Sequence, residues 1–293
     1  MRVLITGATG FIGSALCQEM LDNGHYVTAV VNPESKRKDK IPDGVSLIEL
    51  SLHDINKLSG SYDICYHLAW NGASGDSRND FSIQLSNIKY TADLVKKAKE
   101  LGCSKFIGAG SQAEYGVVRE LCDEYHSTNP FMMYGAAKLA SYHMGKVVAE
   151  QQKISFVWPR IYSVYGVGEN SGTLLSYLID CLKEDKPAEL SACENMWDFI
   201  YITDCVKALR LLGENADSNG IYNISSGNPK ILKSFVNSVK EIVNPDGIVI
   251  FGAKSTEHER TFWLDPDVSK IKTVGFVSEV EFEEGIRRRI DEK

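Results

Sequence analysis

Apolar positions along the first half of the chain follow two alternating rhythms, and the alternation predicts an architecture. Short runs rich in apolar and β-branched residues, Arg2–Thr6, Tyr26–Val31, Val45–Leu50, Tyr62–Ala69 and Lys105–Ala109, read as strands. Between them, Ile12 to about Asn23 and Phe81 to Leu101 carry apolar residues at helical spacing. Strands this apolar must be covered on both faces, so the rhythm predicts an α/β fold with a doubly wound parallel sheet. A helix over Met133–Gln152 and a strand over Ile154–Trp158 extend the pattern. After Gly166 it becomes mixed: helix Thr173–Lys183, strand Asp198–Ile202, helix Cys205–Leu212, strand Tyr222–Ile224, helix Leu232–Val243 and strand Ile248–Phe251. The expected organisation is a domain of residues 1–166, rejoined by about 197–215, with a smaller mixed α/β C-terminal lobe of 167–196 and 216–293.

Composition narrows the class without naming it. With 43% hydrophobic and 24% charged residues, the 293-residue chain is neither disordered nor fibrous and can bury a large core. The 39 acidic and 32 basic residues give a net charge of −7, and Lys36–Lys40 and Arg287–Arg289 are the only basic clusters. No nucleic-acid partner is expected from such a balance. The seven cysteines are scattered without C-x-x-C spacing, so no metal is expected and reduced thiols are. The N-terminus opens directly on a strand, and no apolar run approaches about 18 residues; a cytoplasmic protein with no membrane segment is expected.

Candidate chemistry begins at the first strand-to-helix turn, Thr6-Gly-Ala-Thr-Gly-Phe-Ile-Gly13. Glycines there let backbone N–H groups approach a pyrophosphate, and a helix N-terminus adds unpaired donors. The spacing Gly7-x-x-Gly10-x-x-Gly13 is one residue longer than the usual dinucleotide fingerprint, and a bare tight turn is the alternative. Tyr134 and Lys138 stand four apart on one helix face, which sets an ammonium beside a phenol and is expected to lower the phenol's pKa. Ser111 follows the strand Lys105–Ala109, at the carboxyl edge where open α/β sheets bind ligands.

With these motifs in this order, the chain resembles the extended short-chain dehydrogenase/reductase family of nucleotide-sugar epimerases, dehydratases and reductases. The resemblance implies a Rossmann-type domain and a substrate lobe. It assigns Gly7, Thr9, Gly10, Phe11, Ile12 and Gly13 to the cofactor turn, and Asp54 to an adenine contact. Leu68 and Ala69, in His67-Leu-Ala69, match the strand passing the cofactor, and Asn87 with Thr91 match Asn-x-x-x-Thr on the next helix. Ser111, Tyr134 and Lys138 match the catalytic set; Pro159 and Ile161 match the strand that closes over the nicotinamide. In the implied mechanism Tyr134 exchanges a proton with a sugar oxygen while hydride passes to or from the nicotinamide, Ser111 binds the same oxygen, and Lys138 holds the ribose. The family also implies a homodimer through the helices bearing Asn87 and Tyr134, burial of their outer faces under the substrate lobe being the alternative.

Departures from the family pattern select among its reactions. Dehydratases carry Asp-Glu directly after the catalytic hydroxyl, where this chain has Gln112 and Ala113, so dehydration is not expected. Trp197 and Ser163 replace an Arg and an Asn common in relatives. Together with Trp70, Arg78, Ser111, Gln112 and Arg260 they are the candidate substrate contacts, loop packing or a surface salt bridge being the alternatives. The strand Tyr26–Val31 is followed by Asn32, Ser35, Lys36 and Arg37, with Glu34 the only early carboxylate. Acidic residues there bind ribose hydroxyls, whereas basic or neutral donors suit a 2′-phosphate, so the balance leans to NADP(H), with NAD(H) the alternative. The expected function is an NADPH-dependent reductase of a 4-keto nucleotide-diphosphate sugar in deoxysugar assembly. The alternatives are an NAD-dependent 4-epimerase and a non-catalytic dinucleotide sensor.

Overall fold

The structure, a computed structural model, describes residues 1–254 and 263–291. Seven parallel strands form its main sheet: β1 (Arg2–Thr6), β2 (Tyr26–Val31), β3 (Ser46–Glu49), β4 (Ile64–His67), β5 (Lys105–Gly108), β6 (Ser155–Ile161) and β7 (Gly220–Ile224). Their spatial order is β7-β6-β5-β4-β1-β2-β3, and Gly110–Ser111 prolongs the pairing beside β6. The order reverses at β1, between β2 and β4, which opens a crevice at the carboxyl ends of the strands.

Helices cover both faces, as the apolar strands require. On one side lie α1 (Phe11–Asp22) and α5 (Ile202–Glu214), and on the other α2 (Phe81–Glu100) and α3 (Met133–Gln152). Asp80 starts α2 by accepting the Ile83 N–H at 3.0 Å, while Lys97 and Lys99 in its last turn complement the helix dipole. Beneath α3 the rings of Phe106 from β5 and Phe156 and Trp158 from β6 stack at 5.7 Å spacing. The end of α5 is held by buried Lys105, whose ammonium donates to the carbonyls of Leu212 at 3.0 Å and Gly213 at 3.3 Å.

The second lobe is built from α4 (Leu174–Lys183), α6 (Leu232–Val243), the short α7 (Ser269–Lys272) and α8 (Phe282–Asp291). Phe235 and Phe282 meet edge to face at 4.6 Å, and Phe199 and Tyr165 join them. This cluster is continuous with the core under α1 and α5, so the two lobes share one apolar interior. The boundary differs from expectation: Gly220–Ile224, assigned to the second lobe, is the outer strand of the main sheet and pairs with β6. Its five residues are too short to distinguish an isolated strand from an edge strand by pattern.

Candidate active site

The glycines of the first turn are required by contact. Gly7 has φ +78°, and a Cβ on it would meet the Ala69 nitrogen at 2.5 Å; a Cβ on Gly13 would meet the Gly7 oxygen at 2.1 Å. Gly10 starts α1 without any side-chain cap, leaving the first N–H groups of the helix open to the crevice. A bare helix N-terminus in a glycine cradle fits a dinucleotide pyrophosphate.

A cleft of about 600 Å³ runs from this turn along the carboxyl ends of the strands. Gly7, Thr9, Gly10, Phe11, Ile12, Gly13, Asn32, Leu68, Ala69 and Ile161 line it, as do Trp70, Ser111, Gln112, Tyr134 and Lys138. One cavity thus gathers residues from several strand ends.

Other expected contacts lie elsewhere. Asp54 is outside the lining: its carboxylate accepts from Ser51 at 3.1 Å and pairs with Lys57 at 2.8 Å, and Leu50, Ser51, Leu52 and His53 face the cleft instead. Asn87 is buried and braces the loop after β4, accepting the Asn71 N–H at 3.0 Å and donating to the Asn71 carbonyl at 2.8 Å. Pro159 is buried within β6. Ser163 pairs with Phe199 in a short parallel ladder, and Trp197 with Lys230 in an antiparallel one. Arg260 falls outside the described residues. Lys36 and Arg37 are exposed on the loop after β2, where the Ser35 N–H donates to the Asn32 carbonyl. Arg37 reaches over to Asn170, donating at 2.8 Å to a residue that lines the cleft from the other side.

Around Tyr134 the charges are arranged differently from expectation. Lys138 Nζ donates to the Ala109 carbonyl at 2.7 Å and lies 3.6 Å over the Trp70 ring, but 5.7 Å from the centre of the Tyr134 ring. Burial pulls this ammonium down to about 7, with Glu114 opposing the fall. The Tyr134 phenol is raised above its ordinary value by burial, and Ser111 and Arg78, not Lys138, pull it back. Arg78 sits 4.5 Å over the Tyr134 ring, outside the cleft lining, and its buried Nε has no hydrogen-bond partner among the described residues. His67 is neutral and satisfied, its Nδ1 sharing a 2.8 Å hydrogen bond with Thr6 Oγ1.

Sequence reasoning missed Tyr90 and Asn170 of the lining, and it missed Glu114 behind Ser111. Glu114 did leave a signal: Ser111-Gln-Ala-Glu114 has the S-x-x-E spacing of a capping box, which the structure forms.

An uncapped helix behind a glycine turn, with Ser111, Tyr134 and Lys138 lining the same cleft, is the arrangement of a doubly wound dinucleotide-binding enzyme. Residues 3–225 match the model of the NAD dependent epimerase/dehydratase family. The chain belongs to that family and is an enzyme of its type. It is 28% identical, over 93% of its length and 91% of the relative's, to the uncharacterized UDP-glucose epimerase YtcB of Bacillus subtilis. It is 26% identical to the dTDP-4-dehydro-6-deoxyglucose reductase of Escherichia coli, over 85% of this chain and 84% of the relative. Among solved structures, a mutant of UDP-glucuronic acid 4-epimerase from Bacillus cereus, in complex with NAD and UDP-4-deoxy-4-fluoro-glucuronic acid, superposes with a TM-score of 0.87. That pair is 25% identical and covers 99% of this chain and 98% of the other.

Proposed function

We propose that the protein acts on a nucleotide-diphosphate sugar, as an NADPH-dependent reductase of a 4-keto group. One observation carries the cofactor preference: no carboxylate occurs among the described residues lining the cleft, and its adenosine-ribose corner ends in Val31 and the amide of Asn32. A ribose 2′-hydroxyl is normally held there by an acid, whereas a 2′-phosphate is repelled by one. Lys36 and Arg37 lie on the same loop. The reductase reading follows because net reduction needs fresh reduced cofactor at each turnover. Likeness to the NAD-bound Bacillus cereus epimerase favours the second reading, an NAD-dependent 4-epimerase.

The dinucleotide, when bound, supplies hydride to the sugar carbon. The chain's residues do the rest. Tyr134 donates the proton to the carbonyl oxygen as it gains negative charge, and Ser111 donates a hydrogen bond to the same oxygen. Lys138 holds the ribose hydroxyls, and Arg78 keeps a positive charge near the phenolate left on Tyr134. Exposed Phe81, Leu85, Met133, Met144 and Val147 on α2 and α3 support assembly as a homodimer.

The test is to purify the protein and measure its absorbance and released cofactor. Stoichiometric NADPH consumption on dTDP-4-dehydro-6-deoxyglucose or its CDP or UDP counterpart is the expected result. Tightly held NAD with reversible sugar epimerisation would overturn it.

A further inference from the structure

Glu114 does not line the cleft, yet it is fully buried beside Ser111. Its carboxylate is saturated by three donors. One oxygen accepts the Ser111 N–H at 2.8 Å and the Trp158 indole N–H at 2.9 Å; the other accepts the Arg160 Nε–H at 2.8 Å. Arg160 is buried too, and its guanidinium lies 4.2 Å over the Tyr115 ring.

The segment bearing Ser111 is consequently pinned from two sides. Lys138 donates to the Ala109 carbonyl, and Glu114 accepts from the Ser111 N–H two residues on. Gly110, between them, admits no side chain: a Cβ there would meet Trp158 Nε1 at 2.5 Å and Glu114 Oε1 at 2.8 Å. For stability alone this is a poor arrangement, since well-packed apolar residues of similar volume usually replace a buried ion pair without loss. What a saturated carboxylate provides is direction: its oxygens fix donors to within a few tenths of an ångström.

We propose that Glu114 is a positioning residue for the reaction, fixing the Ser111 main chain against Trp158 and Arg160 so that the Ser111 hydroxyl meets the oxygen that Tyr134 protonates. The proposal rests on the assignment of Ser111 to the reacting centre and is indifferent to whether the reaction is reduction or epimerisation.

A double-mutant cycle tests it, run with NADPH and dTDP-4-dehydro-6-deoxyglucose or, for an epimerase, with UDP-glucose, and with the thermal midpoint recorded for each variant. Ser111→Ala is expected to lower kcat about 100-fold, as for loss of one donor to a developing oxyanion. Glu114→Gln is expected to lower kcat about 10-fold with KM nearly unchanged, the cost of misplacing a group that still exists. In the Ser111→Ala background, Glu114→Gln should change kcat by less than about 2-fold, because the group it positions is gone. Equal kcat losses from Glu114→Gln in both backgrounds, or full activity of Glu114→Gln alone, would overturn the proposal. Full activity of Ser111→Ala would instead overturn the site assignment. Should Glu114→Gln not fold, Glu114→Asp keeps the charge beside Arg160 but draws the carboxylate back from the Ser111 N–H, and the same pattern is expected.

Discussion

Arg78 lies with its guanidinium carbon 4.5 Å above the ring of Tyr134, closer than the Lys138 ammonium at 5.7 Å. The cation that favours the Tyr134 phenolate is therefore on the loop after β4 and not one turn along α3. Trp70 explains why: its ring lies under the Lys138 ammonium at 3.6 Å and meets Tyr134 edge-on at 6.0 Å.

Replacing Arg78 with Met should therefore raise the Tyr134 phenol further. Removing a nearby positive charge disfavours the anion, so Tyr134 becomes a weaker proton donor: kcat for reduction should fall about 10-fold at neutral pH, and the alkaline limb of its pH profile, where the donor loses its proton, should move to higher pH. A pH profile of kcat for Arg78→Met against wild type checks this. A profile lowered equally at every pH would assign Arg78 to substrate contact alone.

The loop after β2 offers a test of cofactor choice. Replacing Lys36 and Arg37 with Ala should weaken NADPH about 10-fold or more and NADH much less, as measured by fluorescence titration. Because Arg37 also donates to Asn170 across the cleft at 2.8 Å, a loss shared equally by both cofactors would assign it to that hydrogen bond and not to the phosphate.

Burial holds His67 neutral and its pKa down to about 3, with the charge on Lys138 adding to the effect. The ordinary value is 6.5, so between pH 6.5 and about 3 the unfolded chain binds a proton that the folded chain refuses. Stability must fall as pH falls through that window, by up to about 1.4 kcal/mol per pH unit from this group. Urea unfolding at about pH 4.5 and about pH 6.5 should show a smaller loss for His67→Asn than for wild type. Equal losses would show that His67 is not the group responsible.

The sheet was legible because its strands are continuous apolar runs, and α3, expected from about Met133 to Gln152, forms there. The glycine turn was legible for a similar reason: contact at Gly7 and Gly13 forbids any side chain, so backbone geometry and sequence coincide. Side-chain direction was not legible. Periodicity sets Tyr134 and Lys138 on one helix face, but Trp70, more than sixty residues earlier in the chain, decides where the ammonium points. Asp54 lies outside the lining for the same reason, since a short 3-10 helix turns its carboxylate to Lys57 and offers Ser51 and Leu52 to the cleft. Gly220–Ile224 was assigned to the wrong lobe because strand pairing is a long-range property that five residues do not encode.

The central claim is that Tyr134 is the proton donor of a reacting centre it shares with Ser111 and Lys138. Its most direct test is the Tyr134→Phe variant, which keeps the ring between Trp70 and Arg78 and removes only the hydroxyl. Turnover and dinucleotide affinity are measured side by side. The expected result is a fall in kcat of about 100-fold or more, as for loss of a general acid, with dinucleotide affinity within about 2-fold of wild type. Unchanged turnover would contradict the account.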